Sequence, residues 1–276
     1  HVDCDMLSIS FSKSAALISQ IGINGEEIIS EGPMPNFFRA PTDNDKGGTD
    51  AYSLRWKDAG LDKDLYVPGE IIVEKKDPSY AKIITTGRFG KGAKYIDCRA
   101  EYHIYADQKV MVSNQYVVSD SMPVLARVGN LLKLCPDFKQ MKWYGRGPQE
   151  SYSDRKTGQK IGVWDGLIRE QYVPYSIPQE NGNKTDVRWI EVRKENGTGI
   201  KISALPLLNI SAHHYSMENL DKAMHTPDLT DAKYTTLNID LAQMGVGGDV
   251  SWRPSVHAAY LLDEKEYQYS YIITFL

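Results

Sequence analysis

The side chains best suited to chemistry gather in four segments, residues 36–48, 143–155, 172–182 and 243–256, each richer in polar, glycine and aromatic residues than a plain turn requires. The first, NFFRAPTDNDKGG, places Arg39 among Asp43, Asn44 and Asp45 and ends on Gly47 and Gly48. One reading is an arginine–carboxylate network with Asx turns that ties this domain to its neighbour. The other is a polar loop at the mouth of a site, with the two glycines allowing it to move. The fourth, QMGVGGDVSWRPSV, leads through Gly245, Gly247 and Gly248 to Asp249, Ser251 and Trp252. Glycines there shape the loop by positive φ or by close backbone approach. Asp249 and Ser251 either bond the loop backbone, the commoner use, or touch a ligand. Taken alone, Trp252 is more often a core residue than a binding one. The glycine-rich approach and Pro254 just beyond it make a projecting loop the alternative.

Glu150, Asp154, Arg155, Glu180 and Asn181 could be assembled on paper into a carboxylate pair, but such residues mostly satisfy loop amides and neighbouring charges. His213 and His214 are adjacent, so on a strand they point to opposite faces, which is poor geometry for one metal ion. His103, His225 and His257 lack ligand spacing around them. No metal site is expected in this chain, and these carboxylates are not expected to be catalytic. Cys4, Cys98 and Cys135 are odd in number and far apart, which argues against a disulfide framework or a zinc site.

The elements that must hold these segments are strands. Over residues 95–107, Ile96, Cys98, Ala100, Tyr102 and Ile104 alternate with Asp97, Arg99, Glu101 and His103, a period of two that sends one set inward. Near the C-terminus Tyr267, Tyr269, Tyr271, Ile273 and Phe275 share a face in the same way. Further strands are expected over 81–89, 109–119, 124–134, 187–193 and 199–204. Asn24-Gly25 suits a type I′ hairpin turn between 17–23 and 26–29. Helical signals are few: 216–225 and 50–59. A (β/α)₈ barrel, with about 250 residues and eight helices, is excluded. A large antiparallel two-layer sandwich fits, and with no repeat, linker or composition shift, residues 1–276 read as one domain.

The chain has 276 residues, 41% hydrophobic, with 32 basic against 36 acidic side chains. A formal charge of -4 argues against nucleic-acid or acidic-membrane partners, which favour basic surfaces. No stretch approaches the roughly 20 apolar residues that span a bilayer, and no signal-peptide apolar region opens the chain. The first residue is His1 rather than Met, so the start of the gene product is expected to lie upstream, leaving the compartment open.

The four segments together resemble the C-terminal domain of the family-2 glycoside hydrolase β-galactosidases, the long bacterial type. That domain carries F-x-R-A-P-x-D-N-D, G-x-G-P-Q-E-x-Y-x-D-R, P-x-E-N-G and M-G-x-G-G-D-x-S-W-x-P-S-V in this order, and all four occur here. The hairpin before the first and the tyrosine-rich strand after the last also match, so the resemblance covers essentially the whole chain. It implies an all-β, galactose-mutarotase-like supersandwich at the end of a longer enzyme whose barrel holds the acid/base and nucleophilic glutamates. Retaining hydrolysis needs two carboxylates about 5–5.5 Å apart, and nothing in this chain reproduces the barrel motifs.

By the same resemblance Trp252 reaches into the sugar site and offers its ring to the substrate, chiefly beyond the cleaved galactose. Asp249, Ser251, Asp43 and Asn44 border it, and Gly47, Gly48, Gly247 and Gly248 shape the loops. The implied partners are a β-galactoside such as lactose, the other domains of the enzyme, and further copies in a homo-oligomer. No cofactor is implied for this chain; magnesium and sodium would sit mainly in other domains. Two rivals are a stand-alone aldose 1-epimerase and a carbohydrate-binding module. The epimerase needs a histidine and a glutamate converging on a pyranose ring, in motifs this sequence does not match.

Overall fold

The structure is a computed structural model that describes residues 1–4, 6–63, 65–250 and 252–276. Fifteen antiparallel strands, three short α-helices and a few single 3₁₀ turns make up the described chain. The strands are β1 (Val2–Cys4), β2 (Leu7–Ser12), β3 (Leu17–Ile23), β4 (Glu26–Asn36), β5 (Tyr66–Asp77), β6 (Tyr80–Lys91), β7 (Lys94–Tyr105) and β8 (Lys109–Val118). They continue with β9 (Arg127–Leu134), β10 (Gln140–Gly147), β11 (Lys160–Leu167), β12 (Lys184–Arg193), β13 (Gly199–His213), β14 (Thr235–Gln243) and β15 (Glu266–Phe275). The helices are α1 (Asp43–Lys46), α2 (Tyr52–Asp58) and α3 (Met217–Lys222).

Alternating sequence becomes alternating burial. In β7, Ile96, Cys98, Tyr102 and Ile104 are buried and face the core, as the period of two requires. At the β3–β4 hairpin Asn24 and Gly25 adopt φ of 52° and 79°. Both are left-handed, as a type I′ turn demands. Ser216 caps α3 by accepting from the Asn219 amide.

The strands form one hydrogen-bonded path, β1-β2-β3-β4-β9-β14-β13-β15-β8-β7-β6-β5. The branch is at β13. Residues 200–205 pair with β15, residues 209–213 pair with β14, and the other edge carries β12, which pairs in turn with β10 and β11. The path curls at this strand so that its two arms face each other across the core. Phe11 of β2 meets Tyr102 of β7 edge-on with ring centroids 5.4 Å apart.

The tyrosines of β15 fill the space between the arms and keep their hydroxyls bonded. Tyr269 donates to the Ile239 carbonyl of β14, and both Tyr269 and Tyr271 reach the buried Asn130 Oδ1 of β9, at 2.9 and 3.0 Å. An aromatic body with a satisfied polar tip is a favourable core residue. Helix α2 seals one end. Its Trp56 is fully buried, stacks beside Tyr52 and donates to the Val124 carbonyl at 2.8 Å.

Candidate functional site

The four motif segments, drawn from both ends and the middle of the chain, meet around residues 243–257. Arg39 organises the meeting. It is fully buried, grips Asp45 with two bonds (Nε to Oδ2 at 2.9 Å, Nη2 to Oδ1 at 2.8 Å), and donates to the carbonyls of Met244 and Gly245 at 2.6 and 2.9 Å. A buried guanidinium is tolerable here because all these donations are charge-assisted or satisfied by carbonyls. Asp45 is placed by α1: the Thr42 side chain accepts from the Asp45 amide, and the Asp45 carboxylate accepts from the Thr42 amide, a reciprocal cap.

Two further side chains hold the next residues of the fourth segment. Asn44 Nδ2 donates to the Val246 carbonyl at 2.7 Å. Asp154, from the second segment, accepts from the amides of Val246 and Gly247 at 3.1 and 2.7 Å. The third segment joins through Gln179, whose amide brackets Asp43 (its Oε1 accepts from the Asp43 amide at 3.2 Å), and through the Glu180 amide, which donates to the Ala40 carbonyl.

Beyond this mount the loop projects. Trp252 is 76% exposed, whereas Trp56 and Trp143 are at 0% and 1%. The loop closes on itself at its neck: Ser255 Oγ donates to the Val250 carbonyl at 2.7 Å, and His257 Nε2 lies 2.9 Å from Asp249 Oδ1. Gly48 packs beneath, with φ of +83°, and a Cβ there would fall 2.7 Å from the Trp252 carbonyl oxygen. Gly248, at φ +149°, would collide with Ser255 in the same way. Gly47 ends α1 in an ordinary extended conformation, and Gly247 contributes its amide to Asp154.

The expected site residues therefore fall into two groups. Trp252 and Asp249 lie on the exposed loop, and Asp43 is exposed beside the third segment. Asn44 is turned toward the Val246 carbonyl and serves the mount. Ser251 lies outside the described residues. The Arg39–Asp45 pair binds the first segment to the fourth within this chain.

The other tempting carboxylates are occupied. Glu150 receives Arg155, the Tyr175 hydroxyl and, at 2.7 Å, the Gly182 amide. Glu180 receives Arg127 Nη2 at 3.3 Å and lies 3.4 Å from the Tyr152 hydroxyl. Sequence reading passed over Arg127 and Asp240, strand residues outside every motif, which sit buried beside Glu180. Asp240 Oδ2 lies 3.3 Å from Arg127 Nε, yet neither carboxylate oxygen accepts a well-formed hydrogen bond among the described residues. Burial pushes its carboxyl up to about 7; Arg127 opposes the shift and Glu180 adds to it. His213 is buried with Nε2 3.0 Å from the Asn181 carbonyl, which makes Nε2 the protonated nitrogen; burial holds its pKa below the ordinary value. Among the described residues no group of three or more His, Cys, Asp and Glu side chains is placed to hold a metal ion.

A curled antiparallel supersandwich defines an all-β, galactose-mutarotase-like class of domain. Solved structures bear this out. The galactose mutarotase related enzyme from Lactobacillus acidophilus superposes with TM-score 0.52 at 11% identity, over 100% of this chain and 96% of that one. Galactose 1-epimerase from Lactobacillus acidophilus NCFM gives 0.52 at 9%, over 100% and 92%. At such identities the likeness establishes the fold alone. The model of the beta galactosidase small chain family matches residues 4–273, and the chain belongs to that family. It is 35% identical over 237 residues to a beta-galactosidase of Priestia megaterium, covering 86% of this chain and 22% of the relative. It is 34% identical over 266 residues to one of Vibrio cholerae, covering 94% and 25%. The chain thus spans about a quarter of the length of the curated relatives it matches, as a β-galactosidase small-chain domain.

Proposed function

We propose that this domain forms one wall of the sugar site of a retaining β-galactosidase that acts on terminal non-reducing β-D-galactosides such as lactose. Trp252 stacks against the substrate beyond the cleaved galactose, with Asp249 and Asp43 along the same rim and Ser251 as a further substrate contact. The catalytic glutamates and the magnesium and sodium sites belong to the rest of the enzyme, and the domain alone is inactive. The enzyme works as a homo-oligomer.

The observation that carries the reading is an exposed indole on a loop whose base is held by buried and half-buried side chains from the other segments. A large apolar ring is costly to leave in water, and this one is held out by construction. Sugar C–H faces are apolar and mildly positive, a match for the electron-rich indole face. The epimerase alternative gains nothing from His213, which is buried and committed to a backbone carbonyl.

The test is Trp252→Ala in the full-length enzyme. Losing an aromatic contact of about 1–2 kcal/mol raises KM for lactose roughly 5- to 30-fold. Thermal stability stays near wild type because the residue is on the surface. Unchanged kinetic constants on lactose would remove Trp252 from the site.

A further inference from the structure

The two ends of the strand path, β1 and β5, each have one paired edge and one free edge among the described strands. The curl brings these ends together without joining them. Between them runs a groove of about 400 Å³ whose apolar wall is Val2 and Phe11 on one side and Ile71, Val73, Ala81 and Ile83 on the other. A second hollow, of about 420 Å³, continues along the β5–β6 turn and the end of β7.

The β5 edge is unusual for a surface strand. It is 12 residues long, and Val67, Ile72 and Val73 are 60%, 43% and 59% exposed. Long aliphatic edges template aggregation, and working proteins blunt or cover them. Lys13 and Lys76 also line the groove, both exposed and with no ion-pair partner among the described residues. An extended segment carrying aliphatic side chains and carboxylates would fit, adding main-chain hydrogen bonds to a free edge.

We propose that this seam is the docking surface for the remainder of the same β-galactosidase polypeptide, an inference that rests on the reading of the chain as one domain of that enzyme. Relatives are about four times its length, so roughly three quarters of the polypeptide must pack somewhere. His1 itself lines the groove, so any chain joined ahead of it enters at the seam. A second copy is the competing occupant.

The experiment is lysine cross-linking with mass spectrometry on full-length enzyme reassembled from isotopically heavy and light chains. The expected result is linkage of Lys13 and Lys76 to residues outside this domain within chains of one isotope. Heavy-to-light linkage at these lysines would assign the seam to a second copy and overturn the proposal. Links confined to the domain would overturn it as well.

Val73→Lys supplies an independent readout, since the exposed side chain can be changed without entering the core. It should speed protease cleavage between the domain and the rest by about tenfold, the loss expected when a buried valine contact is replaced by a charge. An unchanged rate counts against docking. Hydrolysis of a chromogenic β-galactoside by wild-type enzyme is scored separately. Cross-links without hydrolysis would leave the seam standing and remove the activity.

Discussion

Gly48 lies beneath the Trp252 loop, and replacing it with alanine tests whether the first segment sets the position of the indole. Two costs arise. The backbone there has φ of +83°. In that left-handed region a β-carbon costs about 1–2 kcal/mol relative to glycine. The new β-carbon would also sit 2.7 Å from the Trp252 carbonyl oxygen and 3.2 Å from the Arg253 Cα. Contacts that close are repulsive, so something must give by about half an ångström. The fold beneath is held by the Arg39–Asp45 pair, whereas the loop tip is exposed, so the tip moves. Small displacements of a substrate-positioning group are expensive in rate. The expected outcome for Gly48→Ala in full-length enzyme is a KM for lactose raised about 3- to 10-fold, with the melting temperature lowered by no more than a few degrees.

The decisive assay is a double-mutant cycle with Trp252→Ala. If Gly48 acts through the indole, the double variant is no worse than Trp252→Ala alone, and the two effects are strongly non-additive. Additive effects would refute the reasoning. So would a Gly48→Ala enzyme that melts several degrees lower while keeping its KM.

Asp154→Asn puts an NH2 donor in place of one of the two carboxylate oxygens that accept from the Val246 and Gly247 amides, and removes the charge from the other contact. Losing about 1.5–3 kcal/mol of anchoring should speed hydrogen exchange of the Val246 and Gly247 amides roughly tenfold to a hundredfold; unchanged protection would show that the carboxylate is not the anchor. Asp240 makes a pH-dependent contribution. Its folded pKa, about 7, exceeds the ordinary carboxylate value of 3.8, so between these limits the folded state holds the proton that the unfolded state has lost. Its contribution to stability therefore falls as pH rises from about 4 to 7. Asp240→Asn should flatten that slope in the melting transition that contains this domain, and an identical slope in the variant would contradict the assignment.

What was legible in the sequence is what local chemistry decides. The clean alternation of β7 and β15 and the Asn24-Gly25 turn appear in the structure much as their residues dictate. The helix expected over 216–225 shrinks to α3, stopped at Lys222, and that over 50–59 to α2. Strand β5 escaped notice because an exposed edge buries neither face consistently, so no period of two is imposed on it. Helix α1 is four residues long and made by a reciprocal cap rather than by a hydrophobic stripe.

The mount was only partly visible. The motifs pointed to the right segments, and the glycines of the fourth foretold close approach. That Arg39 reaches Met244 and Gly245 is a matter of how β4 and β14 come to flank β9, which no local pattern encodes. Arg127 and Asp240 were missed because a buried charge on a strand looks, in one dimension, like a solvated one.

The mount grips the fourth segment by its peptide groups: the carbonyls of Met244, Gly245 and Val246 and the amides of Val246 and Gly247. All five contacts are made to peptide groups, and Gly245 and Gly247 leave room for them, since a β-carbon there would fall 2.7 and 3.1 Å from Asp154 Oδ2. The path of the loop is thereby uncoupled from the spelling of its tip. Such a bracket lets a lineage, or a combinatorial library over residues 250–254, revise what the tip presents while the socket that carries it stays as built.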